Sequence, residues 1–169
     1  GGPRDLHKLA YDLRDLYKVK QVVMYYLDPK NENPIAAPYE RYGLDFAREI
    51  EDDEKNVIII PEINIHRFSN LHHIKKMIFW LSVDNYYLSG EFFRRHPLMG
   101  RINKLLFLLK SQHYLGFERE LKKIPYHLTL SYYVADHLRK RGITNPFCIV
   151  NHIDPIALAQ TYDPALKKD

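Results

Sequence analysis

The most informative part of the sequence is residues 57–87, VIIIPEINIHRFSNLHHIKKMIFWLSVDNYY. It contains two short apolar runs, Val57–Ile60 and Met77–Leu81, and neither shows the polar alternation of a half-buried strand. Uninterrupted apolar runs of this length suit strands that are buried on both faces of a parallel sheet. The segment between them, Glu62 to Lys76, has the length that a helical crossover between parallel strands needs. These residues therefore predict a strand–helix–strand unit.

Similar segments alternate along the rest of the chain. Further buried strands are predicted at Gln21–Leu27, Tyr126–Leu130 and Phe147–Val150. Apolar spacings of three and four residues predict a helix face running from Leu6 to Tyr17, a second formed by Ile102, Leu105, Leu106 and Leu109, and a helix over Tyr132–Arg141. Alternation of this kind predicts an α/β fold: a Rossmann-like, doubly wound, mostly parallel sheet with flanking helices. We expect one such domain over residues 1–155, followed by a linker or tail over residues 156–169.

Composition limits the classes of protein that fit. With 169 residues, 46% hydrophobic and 27% charged, the chain has the composition of a globular protein. Its single cysteine, Cys148, excludes a disulfide framework and a cysteine-based zinc site. No apolar run approaches the length of a membrane span and no signal-peptide pattern opens the chain, so we expect a cytoplasmic location. The net charge of +4 fits anionic ligands or a membrane surface.

Polar side chains follow each predicted strand, and ligands of open parallel sheets collect beyond the carboxyl ends of the strands. The candidate binding residues at these ends are Glu62, Ser82, Asn85, Ser131, Tyr132 and Asn151. Such groups can hold sugar hydroxyls by hydrogen bonds, and Asp84 is the candidate catalytic residue, a general base toward an acceptor hydroxyl. The alternative is that Asp84 and Ser131 only cap the helices that follow them, since both residue types suit that position.

Several other chemistries lack their motifs. The sequence contains no Gly-x-Ser-x-Gly elbow and no phosphate-binding Gly-x-x-x-x-Gly-Lys loop. It contains no Asp-x-Asp pair for a divalent cation, and His66, His72 and His73 have no evident third zinc ligand. We therefore expect neither a metal nor a cofactor. Gly1 and Gly2 precede a helix, where backbone N–H groups can approach a phosphate; the alternative is a flexible chain end.

Several motifs in this order resemble bacterial glycosyltransferases of capsule and lipopolysaccharide assembly. The motifs are Gly1-Gly2-Pro3, Leu6-His7-x-Leu9, Pro61-Glu62, Phe79-Trp80-Leu81-Ser82-Val83-Asp84-Asn85-Tyr86-Tyr87 and Ser131-Tyr132-Tyr133. These enzymes have the GT-B architecture, in which two Rossmann-like domains face each other across a cleft. The resemblance covers Gly1 to Asp154 and concerns only the N-terminal, acceptor-side domain.

The resemblance implies a nucleotide-sugar donor and a glycan or lipid-linked acceptor, without a metal. It places Gly1 and Gly2 near the donor phosphates, and Glu62, Asp84 and Asn85 toward the acceptor. It also implies association with the inner face of the cytoplasmic membrane. Most donor contacts in this family come from a C-terminal domain, so we expect this chain to be inactive without one. The sequence departs from the family pattern in that the strand expected to lead into Gly1 and the C-terminal domain are both absent. In addition, Arg4 stands where many relatives have an acidic residue.

A rival interpretation is a non-enzymatic Rossmann-like module that binds nucleic acid or a membrane surface through basic helices. Its candidate residues are Arg94-Arg95, Lys122-Lys123 and Arg139–Arg141, and the thirteen tyrosines supply surfaces for stacking. One continuous basic stripe away from the strand ends favours this interpretation, whereas scattered cations favour the transferase. On the sequence, nucleic acid is the less favoured partner.

Overall fold

The computed structural model describes residues 2–28, 32–111 and 113–149. Its internal contacts divide the chain into two compact units, one within residues 1–50 and the other within residues 51–151. The predicted tail over residues 156–169 lies outside the described residues. In the parts described, no helix is both long and apolar enough to cross a membrane.

The first unit is a small helix–strand assembly. Its elements are helix α1 (Gly2–Asp15), strand β1 (Val23–Tyr25), helix α2 (Ala37–Glu40) and strand β2 (Asp45–Ala47). The two strands pair in parallel, with Val23 opposite Asp45. Ala10, Tyr42 and Leu44 form the buried centre. The predicted N-terminal helix is confirmed, and Pro3 lies in its first turn, where its missing N–H costs no hydrogen bond.

The predicted apolar face of this helix is too long. The helix ends at Asp15, so Leu16 and Tyr17 lie beyond it and are exposed. Inside the helix, His7 is buried; its Nδ1 lies 2.6 Å from the carbonyl oxygen of Pro3 and its Nε2 lies 2.6 Å from the hydroxyl of Tyr26. Both ring nitrogens of His7 are therefore used within the core of this unit.

The second unit is a four-stranded parallel sheet flanked by helices. Its strands are β3 (Val57–Pro61), β4 (Lys75–Trp80), β5 (Tyr126–Thr129) and β6 (Phe147–Cys148), in the spatial order β3-β4-β5-β6. Its α-helices are α3 (Val83–Leu88), α4 (Gly90–Arg95), α5 (Pro97–Leu108) and α6 (Tyr132–Lys140). Two 3-10 helices cover Glu62–Phe68 and Arg119–Lys123. The α/β class and the parallel sheet are confirmed. Among the described strands the order follows the chain, without the reversal that defines a doubly wound sheet.

The centre of this sheet is buried as the apolar runs predict. Ile60 lies opposite Ile78, and both are fully buried. Trp80 lies opposite Thr129, and its indole Nε1–H donates to Nδ1 of the buried His127 at 2.9 Å. The inner residues of β3 and β4 thus occupy the interior positions that the sequence predicts. The prediction of a buried strand over Gln21–Leu27 is wrong in its burial, because β1 forms there but exposes Val23 and Tyr25.

The prediction of an α-helical crossover between β3 and β4 is wrong. Only residues 62–68 are helical, as 3-10 turns, and the chain then runs irregularly into β4. Side chains satisfy the backbone instead. The carboxylate of Asp52 accepts from the N–H groups of His72, His73 and Ile74 at 2.8–2.9 Å, and the ammonium of Lys76 donates to the carbonyl of Phe68 at 2.7 Å.

The predicted apolar face of the helix after the Arg94-Arg95-His96 segment is also wrong. Helix α5 forms, but its buried positions are Gly100 and Asn103. Leu105 and Leu109 are exposed, whereas Ile102 and Leu106 are half-buried. A polar Asn and a Gly therefore face the interior on this helix, and leucines face solvent.

Candidate functional site

Glu62 links the ends of the first two strands of the sheet. Its Oε2 accepts from the N–H of Leu81 at 3.0 Å, and its Oε1 accepts from the N–H of Ser82 at 3.3 Å. The residue is only 2% exposed. Burial raises the pKa of this carboxyl, and hydrogen bonds from the backbone of Leu81, Ser82 and Glu62 itself oppose that rise. Both oxygens are thus engaged with backbone, and Glu62 positions the start of the segment that carries Ser82 and Asp84.

The two serines at the strand ends are helix caps. The Oγ of Ser82 accepts from the N–H of Asn85 at 3.4 Å at the start of α3. The Oγ of Ser131 accepts from the N–H of Val134 at 3.3 Å at the start of α6. Each bond satisfies a backbone donor that the helix leaves free. The capping alternative for Ser131 is confirmed, whereas Asp84 lies in the first turn of α3 behind the cap that Ser82 provides.

An open pocket of about 540 Å³ lies beside Asp84. It is lined by Asp84, Phe107, Leu108, Lys110, Ser111, Tyr114 and Tyr133. The hydroxyl of Tyr114 donates a short hydrogen bond to Oδ1 of Asp84. Among the described residues, none donates to Oδ2, so one carboxylate oxygen stays available to a ligand. The pocket therefore combines an acceptor oxygen with aromatic rings and the hydroxyl of Ser111.

Tyr114 is held by packing and by hydrogen bonds to its backbone. Its ring stacks on that of Tyr87, with centroids 4.7 Å apart and an interplanar angle of 11°. The guanidinium of Arg141 donates to the Tyr114 carbonyl. The side chain of the buried Asn103 accepts from the N–H of Leu115 at 2.7 Å and donates to its carbonyl at 2.9 Å. These contacts hold the Tyr114 hydroxyl against Asp84.

The tyrosines beside Asp84 and the nearby His137 are uncharged at neutral pH. Burial, together with the hydrogen bond to Asp84, raises the pKa of Tyr114, and burial with the same negative charge raises the pKa of Tyr133. Burial and the charges of Arg141 and Lys140 lower the pKa of His137 to about 4. Neutral His137 lies 3.2 Å, through its Nε2, from the hydroxyl of Tyr87. Around Asp84 the phenols therefore remain hydrogen-bond donors.

The predicted site residues fall into separate places. Glu62, Ser82, Asp84, Asn85 and Ser131 lie at the carboxyl ends of β3, β4 and β5, but only Asp84 lines the pocket. Asn85 is exposed on α3 and Tyr132 is exposed on α6. Gly2 begins α1 in the first unit. Gly1 and Asn151 lie outside the described residues.

The sequence prediction missed most of the pocket. Tyr133, rather than its neighbour Tyr132, lines it, and Lys110, Ser111 and Tyr114 come from the segment between α5 and β5. The sequence does show which side of α6 is buried, through Val134, Ala135 and Leu138. That orientation of the helix was the information from which the position of Tyr133 could have been predicted. Tyr114 gave no signal, since no motif connects it with Asp84, thirty positions earlier in the chain.

Several cations named for the rival interpretation have partners close by. Arg94 pairs with Glu91 at 2.6 Å, Arg95 with Glu118 at 2.9 Å, and Lys140 with Asp136 at 2.7 Å. Cations neutralised in this way add little to a basic stripe. Among the residues that the structure covers, no group of three or more His, Cys, Asp or Glu side chains is arranged to hold a metal ion.

Comparison with known proteins leaves the family open. The chain matched no protein-family model, no curated protein and no solved structure. The resemblance to glycosyltransferases therefore stays a prediction from the motifs quoted above.

Proposed function

We propose that the chain is the acceptor-side domain of a nucleotide-sugar-dependent glycosyltransferase that acts in bacterial surface polysaccharide synthesis, on the cytoplasmic side of the membrane. In this proposal the parallel sheet is one Rossmann-like half of a GT-B enzyme. The parallel pairing of the four strands and the polar residues at their carboxyl ends support it, together with the motif resemblance. The donor is a nucleotide sugar bound mainly by a second domain, and neither a metal nor another cofactor is part of the proposal.

The observation that carries the proposal is the state of Asp84 in its pocket. One oxygen is fixed by Tyr114, and the other has no donor among the described side chains. A carboxylate oxygen accepts hydrogen bonds from hydroxyl groups, which are the groups that a sugar presents. The rings of Tyr133 and Phe107 add apolar surface for the C–H face of a sugar. The pocket thus fits a polyhydroxylated ligand.

Asp84 is the proposed general base. The acceptor hydroxyl donates to the available oxygen of Asp84 and transfers its proton there as the hydroxyl oxygen bonds to the anomeric carbon of the donor. The bond from that carbon to the nucleoside diphosphate breaks, and the diphosphate leaves with the bonding electron pair. The Tyr114 hydrogen bond holds the carboxylate in one orientation, so the base is positioned before the acceptor arrives. The role of Gly1 and Gly2 at the donor phosphates stays a prediction.

A chemical-shift titration of the isotope-labelled chain tests the proposal. The ligands are short glycans and nucleotide sugars, with an oligonucleotide as the nucleic-acid control. We expect glycan shifts at Tyr114, Tyr133 and Ser111, which line the pocket. We expect Asp84→Asn to abolish them, because the amide loses the charge and one acceptor.

Asp136→Asn is the matched control, because Asp136 is an exposed carboxylate of α6 whose partner is Lys140. It should leave the glycan shifts unchanged. Glycan shifts that survive Asp84→Asn contradict the proposed base. A response to the oligonucleotide alone refutes the transferase proposal and favours the rival module.

A further inference from the structure

Helix α5 exposes an unusual amount of leucine. Leu98 is 71% exposed, Leu105 57% and Leu108 67%, and Leu109, just after the helix, is 68% exposed. Leu98, Arg101, Leu105 and Leu108 follow one another at spacings of three and four residues, which places them on one face of the helix. An apolar stripe of this kind on a surface helix normally faces a core or an interface.

Positive charge accompanies these leucines. From Phe92 to Phe117 the sequence contains no aspartate and no glutamate. Arg101 and Lys104 lie within α5, and Lys110 follows its end. Among the residues that the structure covers, these three cations have no acidic partner, in contrast to Arg94 and Arg95. The exposed face of α5 therefore carries apolar leucines together with positive charges, and it carries no negative charge.

We propose that α5 docks the protein on an anionic lipid surface, with Leu98, Leu105, Leu108 and Leu109 inserted at the headgroup boundary and Arg101, Lys104 and Lys110 among the lipid phosphates. Leucines beside unpaired cations are the composition of helices that lie in the plane of a membrane interface. Lysine and arginine near such a surface are attracted by its negative potential. An uncharged apolar partner would use the leucines but would leave three cations without counter-charge.

The same surface borders the candidate pocket. Phe107, Leu108 and Lys110 line the pocket and also belong to α5 or to its C-terminal end. Docking through α5 places the opening beside Asp84 close to the lipid headgroups. The inference does not depend on the transferase proposal, because membrane docking requires only the exposed face of α5.

A vesicle flotation assay with the whole chain tests the inference. The probes are vesicles of phosphatidylcholine alone and of phosphatidylcholine with phosphatidylglycerol. We expect binding to the anionic vesicles that weakens as salt is raised, and little binding to the neutral ones. Each cation near an anionic surface strengthens binding about five-fold, so Arg101→Gln with Lys104→Gln should weaken it about thirty-fold. Leu98→Gln with Leu105→Gln should weaken it about tenfold or more.

Two matched variants control for general effects. Lys122→Gln with Lys123→Gln removes two exposed cations of the second 3-10 helix, and Val57→Gln changes an apolar residue of similar exposure at the start of β3. Both should bind as the parent chain does, and circular dichroism checks that every variant is folded. Equal vesicle binding by the α5 variants and the controls overturns the inference. So does a solution dimer that the leucine variants abolish, because it assigns this face to a second copy.

Discussion

Glu118 provides a sharp test of the energetics in the second unit. Its side chain is 4% exposed, and its carboxylate contacts three basic side chains, His66, Arg95 and His96. Nε2 of His66 lies 2.7 Å from Oε2, Nε of Arg95 donates to Oε1 at 2.9 Å, and Nε2 of His96 lies 3.0 Å from Oε1. The perturbation is Glu118→Gln, which keeps the shape of the side chain and removes its charge.

The expected magnitude follows from the pKa of Glu118. Burial raises this pKa, but hydrogen bonds with His66, His96 and Arg95, together with the charge of His66, outweigh burial and lower it from 4.5 to about 2. A carboxyl with a lowered pKa in the folded state stabilises that state above the unfolded pKa and loses this contribution as pH falls toward the folded pKa. At about 1.4 kcal/mol per pKa unit, the full contribution is about 3 kcal/mol, of which about 2 kcal/mol is lost by pH 3.

The assay is urea denaturation at pH 7 and at pH 3. We expect the free energy of unfolding of the parent chain to fall by about 2 kcal/mol more than that of Glu118→Gln over this interval. The control is Glu91→Gln, because Glu91 forms a more exposed ion pair with Arg94 and should behave like the parent. An equal loss of stability in Glu118→Gln and in the parent refutes the argument that Glu118 is ionised and stabilised by the three basic groups.

Three further substitutions test single hydrogen-bonding groups. Glu62→Gln replaces one of two buried acceptor oxygens with an NH₂ group, so we expect the free energy of unfolding in urea to fall by about 1–3 kcal/mol. Asn103→Ala leaves the N–H and the carbonyl of Leu115 without their partner, so we expect the free energy of unfolding to fall by about 2–4 kcal/mol. We also expect the NMR resonance of Tyr114 to shift, and an unchanged resonance contradicts the role of Asn103 in positioning the pocket. Three backbone donors lower the pKa of Asp52 to about 2, so Asp52→Asn should destabilise the chain at pH 7. The difference in unfolding free energy between the variant and the parent should shrink as pH falls toward 2. A difference that does not change with pH contradicts the view that the charge of Asp52 stabilises the fold.

Four strands, β1, β3, β4 and β6, could be predicted from uninterrupted apolar runs in the sequence, but the predicted burial holds only for the inner residues of β3 and β4. Val57–Ile60 has no polar alternation and lies within β3, in which Ile60 is fully buried although Val57, at the start of the strand, is exposed. The crossover after β3 could not be predicted in the same way. Its backbone is satisfied by Asp52, which lies about twenty residues before the N–H groups that it binds. Apolar periodicity carries no information about such side-chain contacts.

The candidate site was predicted only in part for a similar reason. Asp84 could be found, because polar residues that follow a parallel strand lie at the edge where ligands collect. The partner of Asp84 could not, since Tyr114 reaches it from an irregular segment that Asn103 and Arg141 hold in place. Helix α5 misled the prediction because its leucines were assigned to the core, whereas Asn103 occupies the interior position. Hydrophobicity alone does not distinguish a core face from an exposed interaction face.

The chain-order arrangement of the sheet has a consequence for how the protein folds during synthesis. Each of the strands β4, β5 and β6 pairs with the strand that precedes it in the sequence. Each strand can therefore pair as soon as it is synthesised, without a segment that comes later in the chain. The ribosome delivers the chain from its N-terminus, and β3 and β4 can therefore pair before β5 has left the exit tunnel. The carboxylate of Glu62 depends on this order, because its backbone donors, Leu81 and Ser82, directly follow β4 and are synthesised after Glu62. A nascent chain that ends before Leu81 lacks both backbone donors, so the carboxylate of Glu62 stays hydrated until Leu81 and Ser82 follow.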